Sequence, residues 1–354
     1  MGHGNLDRPP YEIRDIDTGE DDLELGIRVN GYRFAISISP DTFSNSPVAQ
    51  STFQRTFDKI IAGEDDDPEV WDYCEQIANV FLPDFKRLAP PAVHSGKLTM
   101  ADLAVRGAFE CELRVVDETP LAVSVTERVP DDEYYEEWDV RKIQSAFPVF
   151  TPAEVEVPYT DGSHIYDIIP QRVLVHGQPF FHKTSWSPCD PIEEIRKYAK
   201  IKTSNLSTDD FHISRLSGIV AHPNGYTKGL LYELIETSSD GTLRSIIKPG
   251  IPLSTRQKWA NQVRSTVAYL HKLDLVWGDV KPDNVLIDKN DNAVIIDLEG
   301  GTTRGWVDYE LGGTLQGDLQ GLEKLMDFIL NEESPLRLES DSDTEYSEEV
   351  MDED

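Results

Sequence analysis

The stretch LVWGDVKPDNVLID and the residues after it place polar side chains of a few types at short intervals. Asp279 and Asn284 are five residues apart, Lys281 lies between them, and Asp297 comes directly after an apolar run. The two apolar runs, VLI and AVII, are short and are joined by the turn sequence DKNDN, which predicts a hairpin. Because a hairpin returns the chain to its starting edge, both acids and the amide are expected to meet at one end of a small sheet.

A set of this kind has what phosphoryl transfer from a nucleotide requires. A carboxylate orients or deprotonates the attacking hydroxyl, and carboxylate and amide oxygens are ligands that Mg²⁺ prefers. A lysine near the reaction balances charge on the moving phosphoryl group. A surface hairpin that carries acids without a function is the alternative. That alternative gives no reason for the order helix, Asp, Lys-Pro, Asn, strand, strand, Asp.

The elements that must position this motif begin near residue 153. The runs AEVEVPY, QRVLV, PFFHKT, ISRLSGIV and GLLYELIE predict strands, and PIEEIRKYAKI predicts a short helix. Ser254 is expected to cap a longer helix, in which Trp259, Val263, Val267 and Leu270 recur every three or four residues. The motif follows this helix directly.

A second α+β region precedes these elements. LGIRV-NG-YRFAISI predicts a hairpin with an Asn-Gly turn, and STFQRTFDKIIAG predicts a helix that Gly63 ends. Asp67-Pro68 is typical of a helix start, and FECELRVV and LAVSV predict two further strands. The predicted organisation is a loose acidic N-terminus over 1–24, an N-terminal α+β region and linker of unknown function over 25–150, a catalytic region over 151–330, and a disordered acidic tail over 331–354.

Composition limits the partners and the compartment. The formal net charge of −32 argues against nucleic acid and anionic membrane surfaces as partners, whereas basic proteins fit, and solubility alone is the simpler explanation of the charge. Cys74, Cys111 and Cys189 are scattered and odd in number, which fits neither a disulfide framework nor a metal site. The sequence has no apolar run of membrane-spanning length and no signal peptide. An intracellular location, in cytoplasm or nucleus, is therefore expected.

The motif GDVKPDNVLID resembles the catalytic loop of the protein-kinase-like superfamily, and IIDLEG resembles its metal-binding segment. The sequence of these motifs is most similar to that of the kinase-like proteins of filamentous fungi. The resemblance covers roughly residues 153–330 and implies a bilobal α+β fold with a truncated C-lobe, because the later peptide-docking helices are missing. It implies ATP and Mg²⁺ as cofactors. It also implies transfer of the γ-phosphate to a hydroxyl, with Ser or Thr of a protein favoured over a small molecule.

The resemblance also implies a role for each motif residue. Asp279 would be the catalytic base and Lys281 would assist the transferred phosphate, whereas Asn284 and Asp297 would hold Mg²⁺. The predicted nucleotide-binding residues are Lys183 on a strand, Glu194 (or, in second place, Glu193) as its helix partner, Tyr232 as gatekeeper, and Glu233, Leu234 and Ile235 as the hinge whose backbone bonds adenine. Asp318 would lie beneath the catalytic loop.

The motif departs from the kinase pattern at four places. Trp277 and Gly278 stand where kinases usually have His and Arg, Glu299 replaces the glycine of the metal segment, and Gly162 in PYTDGSHIYD is all that corresponds to the glycine-rich loop. Without the Arg an activation-loop phosphate has no docking partner, so no switch of that type is expected. These departures keep a second function open, in which the chain is an inactive pseudokinase that serves as a binding or scaffold module.

Overall fold

The structure is a computed structural model. It describes residues 11–63, 67–90, 96–103, 105–128, 138–158, 169–185, 187, 191–204 and 211–337. Contacts between Cα atoms divide the chain into two compact units: the described residues up to 128 lie in the first, and 138–158 with 169–337 lie in the second. Four predicted features fall outside the described residues: the first ten residues, Gly162, Cys189 and the acidic segment 338–354.

The part of the first unit that the structure describes is a six-stranded sheet with three helices. Its strands are β1 (Glu12–Thr18), β2 (Leu23–Val29), β3 (Tyr32–Ile38), β4 (Phe43–Ser44), β5 (Gly107–Val116) and β6 (Thr119–Arg128). Its helices are α1 (Pro47–Ile61), α2 (Pro68–Val80) and α3 (Leu82–Leu88). The strand order is β1-β2-β3-β5-β4, and β6 pairs with β5. The predicted α+β character of this region is confirmed.

Local sequence explains the hairpin at the centre of this sheet. Asn30 and Gly31 both have positive φ, 47° and 84°, as a type I′ turn requires. Phe34, Ile36 and Ile38 then alternate into the core, where all three are fully buried. One expectation was wrong: residues 12–18 are not loose but form β1, which pairs antiparallel with β2. That pairing satisfies the backbone of β2 on its outer side, so β2 is not an open edge.

The second unit contains two sheets and five helices among its described residues. The larger sheet has the order β7-β11-β12-β10-β9-β8 and the smaller has the order β13-β14-β15. Its strands are β7 (Val149–Phe150), β8 (Val155–Glu156), β9 (Arg172–Val175), β10 (Gln178–Thr184), β11 (Leu216–Ala221), β12 (Thr227–Glu233), β13 (Thr237–Thr242), β14 (Val285–Asp288) and β15 (Ala293–Ile295). Its helices are α4 (Val140–Ile143), α5 (Pro191–Thr203), α6 (Leu243–Ile246), α7 (Leu253–Lys272) and α8 (Leu315–Leu330).

The second unit extends beyond the predicted limits at both ends. β7 pairs parallel with β11, through Val149 and Ile219, so residues 138–150 are part of this unit and not a linker. At the other end, Arg337 donates hydrogen bonds to the carbonyls of Phe328 and Ile329. These bonds satisfy carbonyls at the C-terminus of α8, so residues 331–337 pack against the unit, whereas they were expected in a disordered tail.

Helix α7 carries the predicted apolar stripe, with Trp259, Val263, Val267 and Leu270 all buried in the core of the second unit. Its start differs from the prediction, because the helix begins at Leu253 and Ser254 lies inside the first turn and makes no cap. A bilayer-crossing helix is not found among the described residues, since no helix there joins sufficient length with sufficient apolar content.

Candidate active site

Lys183 on β10 is the centre of a group of charged side chains, which we call the Lys183 cluster: Lys183, Glu194, Asp297 and Glu299. The Lys183 ammonium lies 2.9 Å from Glu194 Oε2, 2.7 Å from Asp297 Oδ1 and 2.7 Å from Glu299 Oε2. α5 supplies Glu194 from its first turn, and Asp297 follows β15. The predicted pairing of Lys183 with Glu194 is thus present in the geometry. Glu193 is exposed and pairs with Arg196 instead.

Burial and charge act against each other in the Lys183 cluster. Burial alone would lower the pKa of Lys183, but the carboxylates of Glu194 and Asp297 and a hydrogen bond with Glu299 outweigh it and raise the pKa above the usual value. Glu194 is only 1% exposed. Burial raises the pKa of the Glu194 carboxyl, although the Lys183 ammonium opposes that shift. The lysine therefore stays charged, and its charge holds three acids together.

Asp297 is fixed through its backbone as well as its side chain. Its φ is +61°, in the left-handed region, where a residue other than glycine needs support from its surroundings. The indole Nε1 of Trp277 donates to the carbonyls of Ile296 and Asp297, at 3.1 Å each. Trp277 is fully buried. The residue that departs from the kinase pattern at this position therefore holds the segment that carries Asp297.

A second group, the Asp279 cluster, consists of Asp279, Lys281, Asn284 and Thr303. Asn284 Nδ2 donates to Asp279 Oδ2 at 3.0 Å, and the Lys281 ammonium lies 2.8 Å from the same oxygen. The Thr303 hydroxyl donates to Asp279 Oδ1 at 2.8 Å and accepts from Lys281 at 2.9 Å. Both carboxylate oxygens of Asp279 thus have donors, which fixes the orientation of a buried acid.

Thr303 was missed by reasoning from sequence. It lies 24 residues after Asp279 and six after Asp297, in the stretch GGTTRG, which has no periodic pattern. A hydroxyl residue shortly after the metal-like segment was the available signal. That signal is weak, because Thr302 and Thr303 are adjacent and only the fold decides which of them meets Asp279.

Asp318 supports the start of the catalytic-loop-like segment from below. It is 1% exposed. Its Oδ2 and Oδ1 accept hydrogen bonds from the backbone N–H groups of Trp277 and Gly278, at 2.8 Å each. His271 Nε2 lies 2.8 Å from Oδ2. α8 therefore presents a carboxylate that satisfies two consecutive buried donors, as expected from the sequence.

Gly278 and Gly300 lie against each other where two parts of the site cross. Gly278 has φ +97°, and a Cβ built on it would lie 2.8 Å from the Cα of Gly300. A side chain at position 278 would be strained by the positive φ and would clash with Gly300, so it would require movement of the backbone. The segment after Asp297 therefore contacts the backbone before Asp279 directly.

The predicted hinge begins at Glu233, the last residue of β12, and continues through Leu234 and Ile235. Tyr232 is buried, and its ring packs edge-on against Tyr198 with 5.6 Å between centroids. The N–H of Glu233 donates to the carbonyl of Arg215 at 2.9 Å. Glu233, Leu234 and Ile235 line a cavity of about 320 Å³, whose lining residues do not include Lys183 or Asp279.

Comparisons with known proteins point to one class. The protein kinase domain model matches residues 193–303. This segment contains Glu194, Tyr232, Asp279 and Asp297, but it does not contain Lys183. The chain is 34% identical over 89 residues to a probable serine/threonine-protein kinase of Dictyostelium discoideum (25% of this chain, 5% of that protein). It is 34% identical over 88 residues to the serine/threonine-protein kinase kin-29 of Caenorhabditis elegans (24% and 10%) and 35% over 69 residues to the serine/threonine-protein kinase grp of Drosophila melanogaster (19% and 14%).

The match to the protein kinase domain model lies within the second unit, and with the similarity to serine/threonine-protein kinases it supports the predicted protein-kinase-like assignment of that unit. Protein kinase domains use ATP and Mg²⁺. The chain spans only about 5 to 14% of the length of these relatives, so its own activity and substrates are matters of proposal. The predicted likeness to kinase-like proteins of filamentous fungi stays a prediction.

Proposed function

We propose that the second unit is an ATP- and Mg²⁺-dependent protein kinase, which transfers the γ-phosphate to a Ser or Thr hydroxyl of a protein. One observation carries this proposal: the Lys183 ammonium is bound to both Glu194 and Asp297, in the same unit in which Asp279 is held by three donors. The match of residues 193–303 to the protein kinase domain model supports a kinase, and the similarity to serine/threonine-protein kinases supports the acceptor class. A small-molecule hydroxyl is the alternative acceptor.

The Asp279 cluster is assigned the chemical step. Asp279 orients the acceptor hydroxyl and takes its proton, since its two oxygens are already directed by Asn284, Lys281 and Thr303. Lys281 carries the positive charge nearest to that base, and it offsets negative charge on the phosphoryl group in transfer. Lys183 is assigned to the α- and β-phosphates.

The donor set fits Mg²⁺. Asp297 offers a carboxylate and Asn284 an amide oxygen, and both are hard oxygen ligands. The described hydrogen bonds of the Asn284 side chain, to the carbonyl and Oδ2 of Asp279, are both donated by Nδ2. Oδ1 is therefore the atom of Asn284 assigned to the metal. When bound, Mg²⁺ neutralises charge on the nucleotide phosphates.

The adenine site is assigned to the chain after β12. Because the Glu233 N–H is used by Arg215, the hinge would bond adenine through the carbonyl of Glu233 and the backbone of Leu234 and Ile235. Tyr232 is assigned as gatekeeper, since its buried ring fills the space beside Tyr198. We also infer a bilobal arrangement, with the larger sheet and α5 in one lobe and α7, α8 and the smaller sheet in the other.

One observation favours the second function, a catalytically weak or inactive binding module. Glu299 Oε2 lies 2.7 Å from the Lys183 ammonium, where a nucleotide phosphate would otherwise bind. Its carboxylate repels phosphate and competes for the lysine. A pseudokinase that binds a protein partner would retain the fold and this contact without turnover.

The test is ATP binding measured by calorimetry with and without Mg²⁺. The wild type is compared with Asp297→Ala and with Glu310→Ala, which removes an exposed acid of the same unit. We expect binding that depends on Mg²⁺ in the wild type and in Glu310→Ala, and a loss of at least about tenfold in Asp297→Ala. Absence of binding up to millimolar ATP in the wild type would contradict the kinase proposal and favour the scaffold.

A further inference from the structure

Helix α5 contacts one residue of the metal-like segment with two side chains. Glu194 Oε1 accepts a hydrogen bond from the Leu298 N–H at 3.2 Å. The Lys197 ammonium donates to the Leu298 carbonyl oxygen at 2.7 Å. Glu194 and Lys197 are three residues apart, so they lie on the same face of the helix. The donor and the acceptor of one residue's backbone are thus both held by α5, and we call these two contacts the Leu298 clamp.

Lys197 makes this contact at a cost. Burial lowers the pKa of its ammonium, while the carboxylates of Asp318, Glu194, Glu193 and Asp297 partly oppose that shift. Among the described contacts, the Lys197 ammonium donates its hydrogen bond to the neutral carbonyl of Leu298 rather than to one of these acids. A hydrogen bond from an ammonium is short and strong, so this contact fixes the position of the Leu298 carbonyl.

The clamp acts on the residue next to Asp297. The Leu298 N–H belongs to the peptide that leaves Asp297, and the Leu298 carbonyl belongs to the peptide that enters Glu299. With both peptides held, Asp297 is kept at its φ of +61°, with its carboxylate on Lys183. Trp277 holds the same segment from the other side, through the carbonyls of Ile296 and Asp297.

We propose that Lys197 is a positioning residue, which fixes Asp297 for the metal through the Leu298 clamp. This inference rests on the proposed function, because the metal is the one assigned to Asp297 and Asn284. Helix α5 then has two roles. It supplies the partner of the phosphate-binding lysine, and it orients the metal ligand. Displacement of α5 then removes both together.

The test uses the full-length chain and three variants of α5. Lys197→Met removes the donor and keeps the length of the side chain, Lys197→Arg keeps a donor, and Lys200→Met removes an exposed lysine of the same helix. By calorimetry, we expect Lys197→Met to weaken ATP binding about tenfold in Mg²⁺ and to leave the weaker metal-free binding unchanged. Lys197→Arg should recover part of the loss, and Lys200→Met should match the wild type.

Equal loss with and without Mg²⁺ would overturn the proposal, because Lys197 would then act on the nucleotide or on the fold. Hydrogen exchange of the Leu298 amide provides a measurement that needs no nucleotide. We expect faster exchange in Lys197→Met than in the wild type or Lys200→Met, since the N–H is bonded within the clamp. Unchanged exchange would also overturn the inference. If the wild type binds no ATP but the Leu298 amide still exchanges faster in Lys197→Met, the proposed function is contradicted. The Leu298 clamp is then still supported.

Discussion

The two charged groups of the second unit have opposite designs. In the Lys183 cluster, one ammonium faces the carboxylates of Glu194, Asp297 and Glu299, so negative charge is in excess. In the Asp279 cluster, one carboxylate receives donors from all of its neighbours, so the base is satisfied and oriented. The first cluster is arranged to accept a cation, whereas in the second the carboxylate of Asp279 is already satisfied and Asn284 Oδ1 is the atom assigned to the metal.

This difference separates binding from chemistry. The carboxylates around Lys183 are in excess, so nucleotide affinity depends on a cation that neutralises their negative charge. That role is assigned to Mg²⁺. The preorganised Asp279 cluster needs no rearrangement before it directs a hydroxyl. Substitutions in the first cluster should therefore change affinity and its metal dependence, and substitution of Asp279 in the second should change turnover.

Removal of the base should give the largest effect. We expect Asp279→Asn to lower the rate of phosphate transfer about 10³-fold, because Asn cannot take a proton, while ATP affinity stays within about twofold. Turnover of ATP in the presence of a hydroxyl-bearing protein substrate measures the rate, and calorimetry measures the affinity. Asp274→Asn, an exposed isosteric change shortly before the motif, is the control. An equal drop in affinity for Asp279→Asn would break the separation between the two clusters.

The support beneath the catalytic-loop-like segment should give the next effect. Asp318→Asn replaces a buried acceptor that serves the N–H groups of Trp277 and Gly278. We expect a loss of about 2–3 kcal/mol in the free energy of unfolding, since an amide satisfies at most one of these donors with its oxygen in place and turns its NH₂ group toward the other. Chemical denaturation measures this loss. A change below about 0.5 kcal/mol would contradict the assigned structural role.

Substitution of Glu299 should give the smallest of these effects. It tests most directly whether the excess negative charge of the Lys183 cluster limits nucleotide affinity. Glu299→Gln removes a carboxylate that is 41% exposed and in contact with Lys183. We expect metal-free ATP affinity to rise about threefold, because a competitor for the lysine is gone. Calorimetry without Mg²⁺ measures the change, with exposed Glu193→Gln as the control. Weaker binding in Mg²⁺ would instead make Glu299 a metal ligand.

Local patterns were sufficient to predict much of the site. The hairpin that joins β14 and β15 could be read from two apolar runs and a turn, and it brings Asn284 and Asp297 toward the same end of the small sheet. The partner of Lys183 came from the resemblance to protein kinases, which implied Glu194 with Glu193 in second place, and Glu194 lies in the first turn of α5, 2.9 Å from the Lys183 ammonium. The hairpin thus follows from local pattern, whereas the choice between the two glutamates depends on the fold.

Other features depend on tertiary context that no local pattern records. The two-residue strand β7 is too short to show alternation, so its pairing with β11 was not predictable and the domain boundary was placed too late. In α2 the fold decides which side is buried: Trp71 is 38% exposed, whereas Val70 and Tyr73 are buried. Trp277 looked like a departure, and only the fold reveals that its indole N–H bonds the Asp297 carbonyl.

The contact of Gly278 with Gly300 also restricts how this chain can vary over evolutionary time. Because a Cβ at position 278 would lie 2.8 Å from the Cα of Gly300, an arginine cannot be acquired there by a single substitution that leaves the backbone in place. The blocking atom is a Cα, which every residue carries, so a different side chain at position 300 would not make room. Control by a phosphorylated loop docked on an arginine at position 278 would therefore require a rearranged backbone at this crossing.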